Sequence, residues 1–258
     1  MKWLDNSVLA KCVAEKDTNR SKNYLNAILV ASELSGNQKM TKKIREVLTT
    51  IRETLRSKRI NQKMTVKEKE RAIDWPTLVK RFKSWAKRLP PWTKANWRGL
   101  QRFVILSCYV AGGQAPLRLD WFNVSISKTE KNYVLWQSKE LSLGDFKTAG
   151  KYGRVKIKIN NVLFRILKKW RTLRESMGDN TGLLFLTSTK RAFSRNSFGK
   201  MLSSIILEVY NKHASVADLR KSFITWRFKD AVPLRDRVAL SKQMLHSPET
   251  AAVFYEKH

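Results

Sequence analysis

Cysteine is nearly absent. The 258 residues contain two, Cys12 and Cys108, which excludes a disulfide framework and suits a reducing compartment. Histidine is scarce as well: His213, His246 and His258 share no ligand-type spacing with one another or with the cysteines. Neither a zinc finger nor a zinc-dependent nuclease is therefore expected, and no metal or other cofactor is assigned. Glycine is sparse, and Ala111-Gly112-Gly113 lacks the following Gly-Lys-Ser/Thr of a nucleotide-phosphate loop, so action without ATP is expected. No apolar run approaches the roughly 20 residues of a membrane span. Met1-Lys2-Trp3-Leu4-Asp5 opens no apolar stretch with a cleavage site, which argues against secretion and for an intracellular protein without a membrane partner. Acid is the largest shortfall, with 21 Asp+Glu against 52 Lys+Arg.

What is present follows from that imbalance. A net charge of +31 costs a compact state some self-repulsion and exceeds what solubility requires. Nucleic acid is the natural partner, because neutralising phosphates releases condensed counterions. The chain is nevertheless no basic tail. Hydrophobic residues make up 42 % and there are nine tryptophans, enough for a real core in one large domain or two smaller ones.

The first third reads as helical, over Val8 to Ala14 and Tyr24 to Leu34, with a polar turn at residues 17–21 between them. Ser35-Gly36-Asn37 breaks the pattern as a C-cap would. Ile44, Val47, Leu48, Ile51 and Leu55 then line one face of an amphipathic helix, backed by Lys42, Lys43, Arg45, Arg52, Arg56, Lys58 and Arg59. Such a backing is either a solvated face or a DNA-backbone contact. Residues 57–74 are charged and without clear period, so a first helical domain is expected over 1–63, a linker over 64–76, and a second domain over 77–258. In the second, helices are expected at Leu78 to Leu89 and Trp97 to Val110. Short strands follow at Val124 to Ser127, Tyr133 to Gln137, Glu140 to Leu143 and Arg154 to Ile159. Helices resume at Val162 to Ser176, Ser194 to Tyr210, Ser215 to Lys229, Arg235 to Leu245 and Pro248 to Tyr255. The fold class is α+β, mostly α-helical with a small antiparallel sheet.

The C-terminal stretch Asp218-Leu219-Arg220-Lys221-Ser222-Phe223, then Leu245-His246-Ser247, then Tyr255, resembles the signature of the tyrosine recombinases, the phage-integrase-like DNA strand-transfer enzymes. Arg220 to His246 is 26 positions and His246 to Tyr255 is nine, both of which suit that family's pattern. Pro116-Leu117-Arg118-Leu119-Asp120-Trp121 resembles the segment holding the family's first arginine. Phe146 to Gly153, between two expected strands, resembles the β-turn that carries its catalytic lysine, here Lys147. Taken singly, each residue has an ordinary reading: Arg118, Lys147 and Arg220 as surface cations, His246 as a helix cap, Tyr255 as a core aromatic beside Phe254. The order Arg, Lys, Arg, His, Tyr outweighs those readings.

The resemblance implies a reaction that suits these residue types. Arg118 and Arg220 would fork onto the non-bridging oxygens of a DNA phosphodiester, and both stay charged at any working pH. His246 would donate to the same phosphate. Tyr255 would be the nucleophile of a 3′-phosphotyrosyl link, and Lys147 the general acid for the departing 5′-oxygen. It further implies that the first domain closes with the second around double-stranded DNA, and that a homo-tetramer forms on paired sites.

Three departures stand out. The family commonly has a histidine three residues before the second arginine; here Ala217 stands there. His213, seven residues before Arg220, would lie two turns back, about 10.5 Å away, were the segment helical. Pro116-Leu117 before Arg118 resembles recombinases of eukaryotic viruses and mobile elements more than bacterial ones. Three residues follow Tyr255, so either the chain is truncated or the tyrosine helix itself makes the subunit contact. The expected function is thus a site-specific recombinase or integrase acting on a viral or mobile element, located wherever that DNA is, in a prokaryotic cytoplasm or in a eukaryotic nucleus or viral factory. The alternatives are type IB topoisomerase-like relaxation and a catalytically inactive DNA-binding relative.

Overall fold

Helix α1 (Thr18–Leu34) starts inside the stretch expected to be a polar turn. Ser21 is buried there, and the Arg20 guanidinium lies 5.7 Å from the centre of the Tyr24 ring, so these polar residues are absorbed into the helix. The break at Ser35-Gly36-Asn37 forms as expected. Gly36 takes φ +69°, a backbone conformation that glycine adopts without penalty. The Asn37 side chain accepts from the Met40 amide at 3.0 Å and caps helix α2 (Gln38–Ile60). Leu25 of α1 packs with Ile44, Leu48, Ile51 and Leu55 of α2, the stripe the periodicity predicts. On the other side of α2, Lys42, Arg45, Arg52 and Arg56 are exposed and Lys43 is half-buried.

The computed structural model describes residues 18–60, 64–127, 130–178, 181–229, 232–245, 247 and 250. The helix expected at Val8 to Ala14 lies outside them, as do the side chains of Lys58 and Arg59 and, apart from the helical Thr250, the helix expected at Pro248 to Tyr255. The chain divides into two compact units with the boundary between residues 63 and 64.

In the second unit, the segment 64–76 is structured where a linker was expected. Helix α3 (Val66–Arg71) opens on a capping box in which Thr65 and Glu68 satisfy each other's backbone amides. Ile73 and Trp75 enter the main core. Helix α3 buries no residue of its own and is tied down by polar contacts, which a hydrophobic period cannot reveal. Lys221 pairs with Glu68, and the Lys212 ammonium donates to the Glu70 carbonyl at 2.7 Å.

Helix α4 (Trp75–Ala86) turns Trp75, Leu78 and Phe82 inward. Helix α5 (Trp97–Val110) is buried along nearly its whole second half and forms the centre of the unit. Strands β1 (Asn132–Leu135), β2 (Glu140–Leu143) and β3 (Val155–Lys158) make one antiparallel sheet in that order, with Leu141 opposite both Val134 and Ile157. The strand expected at Val124 to Ser127 reduces to isolated bridges from Ser125 to Tyr133 and Leu183. Between β2 and β3 the expected turn contains a one-turn helix, α6 (Ala149–Tyr152). Helices α7 (Asn161–Ser176), α8 (Arg195–Tyr210), α9 (Val216–Arg227) and α10 (Leu234–Gln243) complete the unit. Buried polar contacts tie this core together. The Gln101 amide exchanges two bonds with the Leu186 backbone, at 2.7 and 2.8 Å, and the Trp170 indole donates to the Leu184 carbonyl at 2.8 Å. The architecture is α+β: mostly helical, with one small antiparallel sheet.

Candidate active site

The first arginine is delivered by the chain leaving α5. The corner after that helix depends on Gly112, whose φ is +62° and whose missing Cβ would fall 2.4 Å from the Asn160 side-chain oxygen. Pro116 and Leu117 are buried and Arg118 is half-buried. Tyr109, near the end of α5, donates its hydroxyl to the Arg118 carbonyl at 3.0 Å. Burial pushes the Tyr109 phenol well up, so it remains a protonated donor.

The second arginine sits in the first turns of α9. Ser215 and Asp218 form a capping box that starts the helix, and Leu219, Phe223 and Ile224 face the core. Arg220 shares that buried side and is 1 % exposed, so it is no surface cation. Its Nη1 donates to the Pro116 carbonyl at 2.6 Å and its Nη2 to the Met244 carbonyl at 3.1 Å. Arg118 Nη1 donates to the neighbouring carbonyl, Leu245, at 3.0 Å. Leu245 holds a left-handed φ of +57°. Two guanidiniums about a hundred positions apart in sequence therefore grip consecutive peptides immediately before His246. His246 and Tyr255 themselves lie outside the described residues.

Lys147 is exposed on the connection between β2 and β3, next to the buried anchor Phe146. A cleft of about 590 Å³ runs between β3 and α10, with Tyr152 of that connection on one side and Leu245 and Ser247 on the other. Leu245, Ser247 and the connection carrying Lys147 thus share a cleft, although Lys147 itself does not line it.

Two pairs around the arginines carry no signature in the sequence. Asp120 is 1 % exposed, with Arg195 Nη2 at 3.3 Å. Burial pushes the Asp120 carboxyl up, against the opposing pull of Arg195, Arg118 and Arg220, so this one acid sits among three guanidiniums. A charged residue between the apolar Leu119 and Trp121 was the one local sign of it. The second pair, Glu68 with Lys221, abuts the residue after Arg220. Burial raises the Glu68 carboxyl, but the Lys221 ammonium and the Thr65 amide and hydroxyl outweigh that and hold it down at about 2.

His213 and Ala217 are both exposed. His213 precedes the N-cap of α9, so the two-turn separation from Arg220 along one helix does not apply. In the first unit, Arg45 pairs with Glu33 at 2.8 Å across the solvent-facing side of α1 and α2. Among the described residues, no three His, Cys, Asp or Glu side chains converge as a metal-binding group, and no helix is long and apolar enough to cross a membrane.

Chemically, both arginines are permanently charged and are held by backbone carbonyls, Arg220 by two and Arg118 by one. Neither a family profile nor the sequence of a curated protein matches the chain. Among solved structures, the fold is similar to that of XerA recombinase, at 14 % identity and a TM-score of 0.51, over 98 % of this chain and 94 % of that one. The likeness spans both units and is one of fold: the chain is built on the same architecture as a recombinase.

Proposed function

We propose that this chain is a DNA strand-transfer enzyme of the tyrosine-recombinase type, working without metal or ATP. The observation that supports it most is the convergence of Arg118 and Arg220 on the peptides of Met244 and Leu245, one residue before His246. It supports the motif reading because the two arginines come from segments about a hundred residues apart.

In this reading, Arg118 and Arg220 bind the two non-bridging oxygens of one phosphodiester, and His246 adds a further donor. The Tyr255 hydroxyl oxygen attacks phosphorus as the bond to the 5′-oxygen breaks. Lys147 gives that oxygen its proton, and the tyrosine proton passes to water, since Ala217 has no group to accept it. The products are a 3′-phosphotyrosyl link and a free 5′-hydroxyl; attack by a second 5′-hydroxyl reverses the step and rejoins the strands. Lys42, Lys43, Arg45, Arg52, Arg56, Lys58 and Arg59 would hold the backbone of the same duplex. The enzyme would act as a homo-tetramer on paired sites, integrating or resolving a viral or mobile element in the compartment that holds its DNA.

A nicked suicide substrate tests the reading. Unmodified protein should accumulate a covalent adduct on nicked fragments of the genome that encodes it. Tyr255→Phe should bind the same fragments with equal affinity and form none. An undiminished adduct from Tyr255→Phe removes Tyr255 as the nucleophile. Binding without any adduct from the unmodified protein leaves a DNA-binding relative without catalysis.

A further inference from the structure

We infer that the groove between α4 and Trp226 docks an acidic peptide segment of a partner protein, one that carries a bulky apolar side chain between its carboxylates. This inference does not depend on the strand-transfer reading.

The groove encloses about 770 Å³ and is lined on one side by Val79, Lys80, Lys83 and Lys87, and on the other by Trp226 and the Gly112-Gly113 corner. Lys80 and Lys83 on the outer side of α4 and Lys87 at its C-cap recur at helical spacing, opposite the buried Leu78 and Phe82. They repel one another, and among the described residues no carboxylate pairs with them. No acid lines the groove. A stripe of this kind weakens its own helix until an anion lies along it.

The floor decides which anion. Trp226 is 40 % exposed, among the largest apolar groups left open on this unit, and Val79 is half-buried beside it. The Trp226 ring already stacks on Trp75 at 6.2 Å, is met by Phe223 at 5.9 Å, and has the Arg227 guanidinium at 5.9 Å. A ring engaged in this way is a poor platform for a stacked base, and the phosphate backbone of a duplex has nothing apolar to seat beside it. A peptide satisfies both halves: its carboxylates meet the lysines and its apolar side chain fills the space against Val79 and Trp226.

The test uses the full chain and a short fluorescent peptide of Asp and Glu with a central Phe-Leu pair, read by anisotropy. Combined Lys80→Gln, Lys83→Gln and Lys87→Gln should weaken binding by about tenfold or more, and Trp226→Ala by a similar factor. Removing three other cations of the same unit, by Arg165→Gln, Lys168→Gln and Lys169→Gln, should leave it nearly unchanged. Replacing Phe-Leu by Gly-Ser in the peptide should abolish most of the affinity. The inference is overturned if the unmodified chain does not bind the peptide, if both triple variants weaken it equally, or if the Gly-Ser peptide binds as well. It is also overturned if the groove variants lose duplex DNA affinity and leave peptide affinity intact, which would make the stripe a phosphate contact. The lysine changes are on the surface, so they keep the test valid even if Trp226→Ala perturbs folding.

Discussion

Glu68 carries two loads with one carboxylate, and removing them separately is a quantitative test. One oxygen accepts from the Thr65 amide at 2.9 Å and closes the α3 capping box; the other takes the Lys221 ammonium from α9. Both side chains of the pair are about three-quarters buried, at 23 % and 25 % exposure. Glu68→Gln keeps an acceptor for the cap and loses the ion pair, a cost of about 1 kcal/mol at the upper end for exposed pairs. Glu68→Ala loses the cap as well, for about 1 kcal/mol more. In a domain of this size each kcal/mol moves the melting point by roughly 2–4 °C. Eight of the nine tryptophans follow residue 64, so tryptophan fluorescence of the full chain reports on this unit. The pH dependence carries the sign. The folded Glu68 pKa is depressed from 4.5 to about 2, so its contribution is full above pH 4.5 and is lost as pH falls through about 2. The gap between the unmodified chain and Glu68→Gln should therefore be widest near neutrality and close across that window. Equal melting points at pH 7, or a gap that does not shrink on acidification, would refute the argument.

Other expectations follow from single contacts. Arg220→Lys cannot fork onto the Pro116 and Met244 carbonyls, so it should cost about 2–3 kcal/mol in urea unfolding, and adduct formation should fall far more than DNA affinity. Gly112→Ala meets both a left-handed φ and the Asn160 side chain that caps α7, and should lose about 2–3 kcal/mol. Gly113→Ala is its control: the φ is +74° but nothing lies within 4 Å, so about 1 kcal/mol is expected, and equal losses would disprove the steric account. DNA affinity should fall linearly on a log–log plot against salt. Combined Lys42→Gln, Arg52→Gln and Arg56→Gln should flatten that slope by up to about 0.9 for each phosphate no longer neutralised, and an unchanged slope would remove α2 from the interface.

The parts of the fold that were legible in the sequence are those set by local period. Helix α5 matches its expected bounds because the run Phe103 to Val110 is apolar but for Ser107, and the core stripe of α2 because its spacing is helical. Helix α3 was invisible because it buries nothing and leans on Lys221, 153 positions away. The segment at Val124 looked like a strand, but it forms only isolated bridges: Ser125 bonds the Asn132 carbonyl at 2.8 Å and the Val134 amide at 3.2 Å, while Val124 and Ile126 bond Leu184 and Gly182 on the other side. The site divides in the same way. The arginines stand out by motif, while their carbonyl partners at 244 and 245, and the Asp120–Arg195 pair, depend on contacts between distant segments that no window along the chain contains.

Strand transfer as proposed requires Tyr255 to become covalently joined to DNA. Its most direct measurement is tandem mass spectrometry of the trapped adduct after nuclease and protease digestion, locating the nucleotide-bearing residue. A 3′-phosphonucleotide should be found on Tyr255, in the peptide that contains it, and should disappear in Arg220→Ala. A nucleotide on any other residue, or an adduct joined through the 5′-phosphate, would contradict it.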